Sequence, residues 1–207
     1  MAIFITGIGT DVGKTIAAAV VVEALEADYW KPIQAGDINN GDTQKVQRWV
    51  SNGRSVFYPN AYQLQTAASP HLAAAIDGVC IEKSAIVRPE TANVLVIEGA
   101  GGLLVPINEK EFVVDLIAPN DQVILVSRHY LGSINHTLLS IACLKSRGLS
   151  VSGLLFSGDE NKASESIIAS QTGVPVIGRI EEEPYFDKMV VAYYADLFSD
   201  FLKQMLI

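Results

Sequence analysis

The chain has 207 residues, 49% of them hydrophobic, and a formal net charge of −8. This length allows a sizeable core and predicts a single domain over residues 1–207. The negative charge argues against nucleic acid and anionic membranes as partners, because binding either one requires a basic surface.

The N-terminal segment and the cysteines predict a cytoplasmic protein. No basic segment precedes the first apolar run, so we expect no signal peptide. No apolar run approaches the roughly 20 residues of a membrane span. Cys80 and Cys143 lack the spacing of a zinc site or of a disulfide framework, and we expect both to be small buried hydrophobic residues.

Apolar runs alternate with helix-like segments along the chain. Strands are predicted at Ala2–Ile5, Tyr29–Ile33, Val94–Ile97, Gln122–Ser127, Ser150–Phe156 and Val174–Ile180. Helices are predicted at Ile16–Leu25, Thr43–Ser51, Pro70–Ile76, Phe112–Ala118, Ser133–Arg147, Lys162–Thr172 and Met189–Leu206, with Glu82–Val87 as a weaker candidate and Asn52–Ala68 irregular. This order predicts an α/β fold with a single doubly wound, mainly parallel sheet and helices on both faces.

Gly7–Thr15 (GIGTDVGKT) has the features of a phosphate-binding loop between a strand and a helix. Lys14 would place a positive charge near the outer phosphates, and the hydroxyl of Thr15 could ligate Mg²⁺. The usual pattern G-x-x-x-x-G-K-[ST] needs glycine at position 8, where this chain has Ile8. The alternative is a chance GKT turn in an ordinary αβ unit. The flanking strand and helix favour a nucleoside triphosphate site.

Parallel strands with right-handed crossovers bring their carboxyl ends to one edge of the sheet, where ligands bind. The loop, Lys31, Glu98 and the segment 128–135 should therefore converge there. Each side chain taken alone has a structural alternative: Glu98 could cap a turn, Asp42 could be a helix N-cap, and Lys31 could be solvated. The single histidines His71 and His136 are interpreted as structural, and Arg128-His129 could meet an anion or be solvated.

Several motifs, taken in order, resemble those of the dethiobiotin synthetase family over nearly the whole chain. They are GIGTDVGKT, WKPIQAG, Asp42 in NGD, Ser69–His71 (SPH), Glu98–Gly102 (EGAGG) and Leu131–His136 (LGSINH). The resemblance implies a P-loop NTPase fold and an enzyme that uses ATP and Mg²⁺ to carboxylate diaminopelargonate with CO₂. It also implies a homodimer, because in the family the segment that matches Leu131–Asn135 comes from the partner subunit.

The resemblance also implies roles for individual residues. Lys14 and Lys31 would be catalytic, and Mg²⁺ would be held by Thr15, Asp42 and Glu98. The nucleotide would contact Thr10, Asp11, Val12, Gly13, Lys14, Thr15, Ile16, Asp42, Glu98, Gly99, Ala100, Gly101 and Ser157. Diaminopelargonate would contact Lys31, Ala35, Leu131, Gly132, Ser133 and Asn135.

The chain departs from the family pattern at four places. Ala35 stands where the family often has Ser or Thr, and Asp11 stands where many members have Glu. Ser157 replaces an Asn that reads the nucleotide base, and the G-x-I/L-P turn is altered at 178–181. The resemblance therefore predicts use of a triphosphate but does not predict a preference for adenine.

Two other classes of protein are alternatives. ATPases of the partitioning or septum-placement type share this fold and act by nucleotide-gated dimerisation. They carry an additional lysine early in the phosphate loop, and Gly7–Thr10 contains none. A regulatory nucleotide-binding module without chemistry would not need Lys31 and Glu98 together.

Overall fold

A computed structural model describes residues 1–206 of the chain. Over these residues the strands are β1 (Ala2–Gly7), β2 (Asp28–Trp30), β3 (Ile33–Ala35), β4 (Phe57–Tyr58), β5 (Tyr62–Leu64), β6 (Leu95–Gly102), β7 (Gln122–Arg128), β8 (Val151–Ser157) and β9 (Val176–Ile180). The α-helices are α1 (Lys14–Leu25), α2 (Asp42–Trp49), α3 (Pro70–Asp77), α4 (Ser133–Ser146), α5 (Lys162–Thr172) and α6 (Lys188–Gln204).

Seven strands form one sheet in the order β4-β2-β6-β1-β7-β8-β9, and every pairing in it is parallel. The predicted doubly wound α/β fold is thus confirmed. The chain leaves β1 toward the β2 edge and later returns past it to β7, so strand order reverses at the centre of the sheet. Open α/β sheets bind ligands at such a point.

The sheet has a hydrophobic core on each face. Successive side chains of a strand point to opposite faces, and accordingly Ile3 and Ile5 pack with α1 and α6 while Phe4 packs with the other layer. Residues 17–22 of α1 are all buried. A helix that is apolar all round is buried on all sides, and α1 lies within the core that the sheet shares with Tyr194 and Phe198 of α6.

The prediction of one strand over Tyr29–Ile33 was wrong. The chain forms two short strands, β2 and β3, in different sheets, with Lys31 and Pro32 between them. Proline has no N–H to donate to a ladder, and the carbonyl of Pro32 instead accepts the N–H groups of Ala61 and Tyr62. The segment predicted as irregular, Asn52–Ala68, supplies β4 and β5, each at most three residues long.

Other boundaries also differ from the sequence prediction. β6 continues through the glycines to Gly102, and the predicted helices Glu82–Val87 and Phe112–Ala118 are reduced to 3₁₀ turns at Lys83–Ala85 and Val113–Leu116. Cys80 is exposed and Cys143 is only partly buried, so the expectation that both are buried was wrong. Among the helices of residues 1–206, none has the length and apolar character needed to cross a bilayer.

Candidate active site

A cavity of about 1050 Å³ lies at the carboxyl edge of the central strands. It brings together most of the residues that the sequence analysis singled out separately. The predicted site residues that line it are Thr10, Asp11, Val12, Gly13, Lys14, Thr15, Ile16, Lys31, Ala35, Asp42, Glu98, Ala100 and Gly101. The structure thus places the phosphate loop, both lysines and both carboxylates around one volume.

The phosphate loop folds tightly over the end of β1. A Cβ on Gly7 would lie 2.5 Å from a methyl group of Val12, so only glycine fits where the loop closes over the strand. Gly13 caps α1 with φ of 92°, in the left-handed region that favours glycine. The first N–H groups of a helix have no partner within the helix, and those of α1 open into the cavity, where they can bind an anion.

Lys14 begins α1 and is 7% exposed. Its Nζ donates to the carbonyl oxygen of Gly9 at 2.8 Å, so the side chain lies along the loop. Burial lowers the pKa of this ammonium from 10.5 to about 8, while the charge of Glu98 opposes the shift and that of Lys31 adds to it. The lysine is therefore mostly protonated at pH 7, which is only about one unit below its pKa.

Glu98 on β6 is 1% exposed, and three side chains donate to its carboxylate. Oε1 accepts from Thr15 Oγ1 at 3.0 Å and from Lys31 Nζ at 2.9 Å. Oε2 accepts from the hydroxyl of Tyr29 at 2.8 Å. A buried carboxylate is costly unless it is paired and hydrogen-bonded, and this one is held by donors from α1, from β2 and from the residue that follows β2.

Lys31 joins the two carboxylates, because its Nζ donates to Asp42 Oδ2 as well as to Glu98. Burial alone would lower the pKa of Lys31, but the charges of Glu98 and Asp42 raise it above its ordinary value. Burial would likewise raise the pKa of Asp42, and the ion pair with Lys31 lowers it instead. Lys31 and Asp42 are therefore both charged at neutral pH.

The interpretation of Asp42 as a side-chain N-cap was wrong. Gly41 is the N-cap of α2, and Asp42 is the first residue of the helix, where a negative charge is favourable. Its backbone N–H donates to Gln34 Oε1 at 3.1 Å, and Gln34 Nε2 donates to the carbonyl oxygen of Gly36 at 3.0 Å. Gln34 thereby fixes the start of α2, so that the carboxylate of Asp42 faces Lys31.

The oxygens of Thr15, Asp42 and Glu98 are the kind of ligands that Mg²⁺ prefers. The ammonium of Lys31 already lies between the two carboxylates, which shows that the site accommodates a cation. Within residues 1–206, no group of three or more His, Cys, Asp or Glu side chains could hold a metal. Two carboxylates and a hydroxyl suit a Mg²⁺ that takes its other ligands from water and phosphate oxygens. The residues present fit such an ion.

Some predicted site residues do not line the cavity. Gly99 follows Glu98 and faces the other side of the sheet, where a Cβ would meet Phe4 and Val113. Ser157 ends β8 behind the phosphate loop, with its Oγ 2.6 Å from the point where a Cβ on Gly13 would stand.

The predicted substrate segment lies at the start of α4, away from the cavity. Leu131, Gly132 and Asn135 are exposed, whereas Ser133 is 2% exposed. Leu131 to Asn135 do not line the cavity of their own subunit. Their role in substrate binding therefore stays a prediction, and it requires a second subunit.

The sequence analysis missed four residues at this site. Tyr29 and Gln34 position the two carboxylates, as described above. Lys45 and Arg48 on α2 line the cavity and add two positive charges to it. Their spacing of three and six residues from Asp42 places them on one face of a helix, and this pattern could have identified them.

The histidines and Arg128 have partners within the chain. His71 Nδ1 is 3.1 Å from the hydroxyl of Ser69, and His136 Nδ1 is 2.8 Å from that of Tyr130. His129 Nε2 is 3.0 Å from Glu165 Oε1, with the ring stacked on another aromatic ring. Arg128 pairs with an exposed glutamate and also lines the cavity.

Comparison with curated proteins gives relatives that match nearly the whole length of the chain at high sequence identity. The family model described as "AAA domain" matches residues 1–190. The ATP-dependent dethiobiotin synthetase BioD of Christiangramia forsetii is 63% identical over 195 residues, which cover 94% of this chain and 94% of that protein. The proteins of the same name from Cytophaga hutchinsonii and Nitrobacter hamburgensis are 48% and 44% identical, and the matches cover 93–97% of this chain and 94–97% of those proteins.

Comparison with solved structures gives proteins of similar fold. A ParA family ATPase from Chlorobium tepidum has a TM-score of 0.56 at 12% identity, with 99% of this chain and 97% of that chain covered. The septum site-determining protein MinD from Pyrococcus horikoshii, solved with Mg-ADP, has a TM-score of 0.56 at 12% identity, with 99% and 96% covered. At this identity the likeness concerns the fold alone.

Proposed function

The chain belongs to the family of ATP-dependent dethiobiotin synthetases, and from that membership we propose how its residues perform the reaction. It is an ATP-dependent cyclo-ligase of biotin biosynthesis, which carboxylates 7,8-diaminononanoate (diaminopelargonate) with CO₂ and closes the ureido ring of dethiobiotin. The alternative of a partitioning or septum-placement ATPase has only the shared fold in its favour.

The triphosphate would bind along the loop 7–15, where the N-terminus of α1 faces the cavity. Lys14 would leave the carbonyl of Gly9 and contact the outer phosphates, exchanging a neutral acceptor for charged ones. Lys45 and Arg48 extend the positive charge along the cavity wall. This local concentration of cations offsets the net charge of −8 that would otherwise repel ATP.

Thr15, Asp42 and Glu98 would hold Mg²⁺. When bound, the ion supplies positive charge to the phosphate oxygens of the nucleotide. Lys31 pairs with both of these carboxylates and lines the cavity, so its ammonium would lie beside the bound nucleotide.

The reaction has three steps. An amine of the substrate bonds to the carbon of CO₂ and loses a proton, which gives a carbamate. A carbamate oxygen then bonds to the γ-phosphorus while the bond from that phosphorus to ADP breaks, which gives a carbamic–phosphoric anhydride. The second amine attacks the carbamoyl carbon, phosphate leaves with the bonding electrons, and the nitrogen loses a proton as the urea ring closes.

The residues contribute position and charge to these steps. Negative charge spreads over the phosphoryl oxygens during transfer, and preorganised cations in a closed site stabilise it. Burial and, to a smaller extent, the positive charge of Lys31 lower the pKa of Lys14, so the two ammonium groups lie close enough to interact. Lys31 would contact and stabilise the carbamate, and Lys14 would contact and stabilise the transferring phosphoryl group.

A homodimer would complete the substrate site. The start of α4 is exposed, and Leu131 at its tip is fully so. From a partner subunit, the N-terminus of this helix, with Asn135, would meet the distal carboxylate of diaminopelargonate.

We also propose that the chain is one catalytic domain and that the enzyme works in the cytoplasm. The cytoplasmic assignment is supported by two free cysteines, because disulfides are rare in that compartment.

The observation that carries these residue roles is the convergence of Lys14, Thr15, Lys31, Asp42 and Glu98 on one cavity. Purified protein is incubated with diaminopelargonate, bicarbonate, Mg²⁺ and ATP, and the product is identified by mass spectrometry. We expect dethiobiotin and one ADP for each product molecule. ADP formation that does not depend on the diamine, and that increases instead with DNA or membrane, would support the alternative of a partitioning ATPase.

A further inference from the structure

Tyr29 lies next to Glu98 because of the strand register. On β2 it pairs with Val96 of β6, so Glu98, two residues further along β6, projects from the same face of the sheet. The ring of Tyr29 is fully buried and packs against Phe57, with ring centroids 6.1 Å apart. Its hydroxyl reaches past this packing to Glu98 Oε2 at 2.8 Å.

Packing alone does not explain a tyrosine at this position. A phenylalanine would fill the same apolar volume without the cost of burying a hydroxyl. That cost is offset here by a hydrogen bond to a carboxylate, which is stronger than one between neutral groups. The phenolic hydroxyl, whose ordinary pKa is about 10, is the donor in this hydrogen bond.

The donors divide the two oxygens of Glu98 between structure and chemistry. Tyr29 occupies Oε2 on the core side, and Thr15 and Lys31, which both line the cavity, contact Oε1. The terminal torsion of a glutamate is broad and roughly two-fold, so the carboxylate would otherwise turn between several orientations. A donor on one oxygen restricts that rotation.

We propose that Tyr29 is a positioning residue, which fixes the rotation of the Glu98 carboxylate and presents Oε1 to the metal–nucleotide complex. The proposal rests on the proposed function of Glu98 as a metal ligand. It predicts that the hydroxyl of Tyr29 acts on metal-dependent nucleotide binding and on turnover, and that it acts only through Glu98.

The test compares Tyr29→Phe with the parent. Binding of a non-hydrolysable ATP analogue is measured by calorimetry with Mg²⁺ and with EDTA, and no turnover is needed. We expect the affinity with Mg²⁺ to fall about tenfold, as for loss of one hydrogen bond to a charged group, while the affinity in EDTA stays within about twofold. We also expect kcat to fall about tenfold with little change in KM for diaminopelargonate.

Tyr194→Phe is the matched control. Tyr194 on α6 is also buried, and its hydroxyl donates to a glutamate, Glu183, at 2.6 Å, but neither residue lines the cavity. This variant should lose a similar hydrogen bond without any change in the Mg²⁺ dependence of nucleotide binding. Equal affinities of Tyr29→Phe and the parent with Mg²⁺, or an equal loss with Mg²⁺ and with EDTA, would reduce Tyr29 to a packing residue.

A double-mutant cycle decides whether Tyr29 acts through Glu98. Tyr29→Phe should have no further effect on Mg²⁺-dependent binding in a Glu98→Gln background. If Tyr29→Phe alone does not accumulate, Glu98→Gln can still be compared with the double variant. The glutamine amide at position 98 carries no charge, so no unpaired buried carboxylate remains. A further loss in the double variant would overturn the proposal. Absence of dethiobiotin from the parent would instead contradict the proposed function, and the binding measurements would still stand.

Discussion

Lys31 Nζ lies 2.9 Å from Glu98 Oε1, although 67 positions separate the two residues along the chain. The register of β2 and β6 produces this contact: Trp30, the last residue of β2, pairs with Ile97, and Lys31 and Glu98 are the residues that follow them along the chain. Their side chains are 6% and 0% exposed. The sheet therefore aligns the cation and the carboxylate before any ligand binds.

Replacement of Lys31 should separate catalysis from nucleotide binding. In Lys31→Met the cation of the carbamate site is lost, and we expect kcat to fall about a hundredfold or more, as for loss of a charge-stabilising donor. Nucleotide affinity should change less than about threefold, because the phosphate loop is intact. Steady-state kinetics and calorimetry measure the two effects.

Lys45→Met is the control for that experiment. Lys45 lies 3.6 Å from Asp42 but is more exposed than Lys31, and it does not contact Glu98. Its loss should lower kcat by less than about tenfold, since exposed ion pairs contribute about 0–1 kcal/mol. Equal losses in the two variants would contradict the special role of Lys31.

Lys14 should make nucleotide binding sensitive to alkaline pH. Burial lowers its pKa to about 8 in the free protein, so the ammonium loses its proton as the pH rises through that value. The dissociation constant of a non-hydrolysable ATP analogue should therefore increase by about tenfold between pH 7 and pH 9.5, the magnitude of one charge-assisted contact. Lys14→Met, neutral at every pH, should bind weakly and with a flat profile. A flat profile in the parent would contradict this assignment.

The phosphate loop and the convergence of charged residues could be predicted because both follow from local patterns. A strand, a glycine-rich turn and Lys-Thr at the start of a helix are contiguous in sequence. The shared edge follows from parallel topology, which by itself predicts that Lys31 and Glu98 lie together. The resemblance in the motifs then identified their chemistry.

Tyr29 could not be identified in this way. In a buried strand, tyrosine and phenylalanine fit the same apolar pattern, and the partner of the hydroxyl is 69 positions away. The short strands β4 and β5 were missed for a related reason. Segments of two or three residues show no period, and their pairing is decided by tertiary contacts such as the carbonyl of Pro32.

The exposed start of α4 should control both dimerisation and substrate binding. Leu131 is fully exposed, and Tyr130 and Leu139 nearby are 44% and 59% exposed, which suits an interface with a second subunit. Leu131→Asp should prevent formation of the proposed dimer, as measured by analytical ultracentrifugation. A monomer with full activity at low concentration would count against a shared site.

Asn135→Ala tests the proposed contact with the substrate. We expect KM for diaminopelargonate to rise about tenfold, the effect of one hydrogen bond to a carboxylate, while nucleotide affinity stays within about twofold. His136→Ala is the control, because His136 is also exposed and contacts Tyr130 within its own subunit. Equal increases in KM would indicate a general disturbance of the helix start.

The surroundings of Ser157 offer little to a nucleotide base. Ser157 lies at the end of β8 with its Oγ directed at Gly13, and the N–H of Gly158 is already used by the carbonyl of Ile180 at 2.9 Å. Asn presents a donor and an acceptor in one plane, as adenine requires, and a hydroxyl cannot do so. Base recognition should therefore depend on water and on other backbone groups.

Weak reading of the base predicts broad use of triphosphates. Phosphates and Mg²⁺ are common to all of them, and one polar contact contributes only about 0.5–1.5 kcal/mol. We expect CTP or GTP to support dethiobiotin formation with kcat/KM within about tenfold of that for ATP, measured at saturating diaminopelargonate and CO₂. Ser157→Asn should increase the preference for ATP, while Ser157→Ala, which removes only the hydroxyl, should leave the ratio of the triphosphates unchanged. A preference of the parent for ATP beyond about a hundredfold, more than one lost contact explains, would mean that another residue reads the adenine.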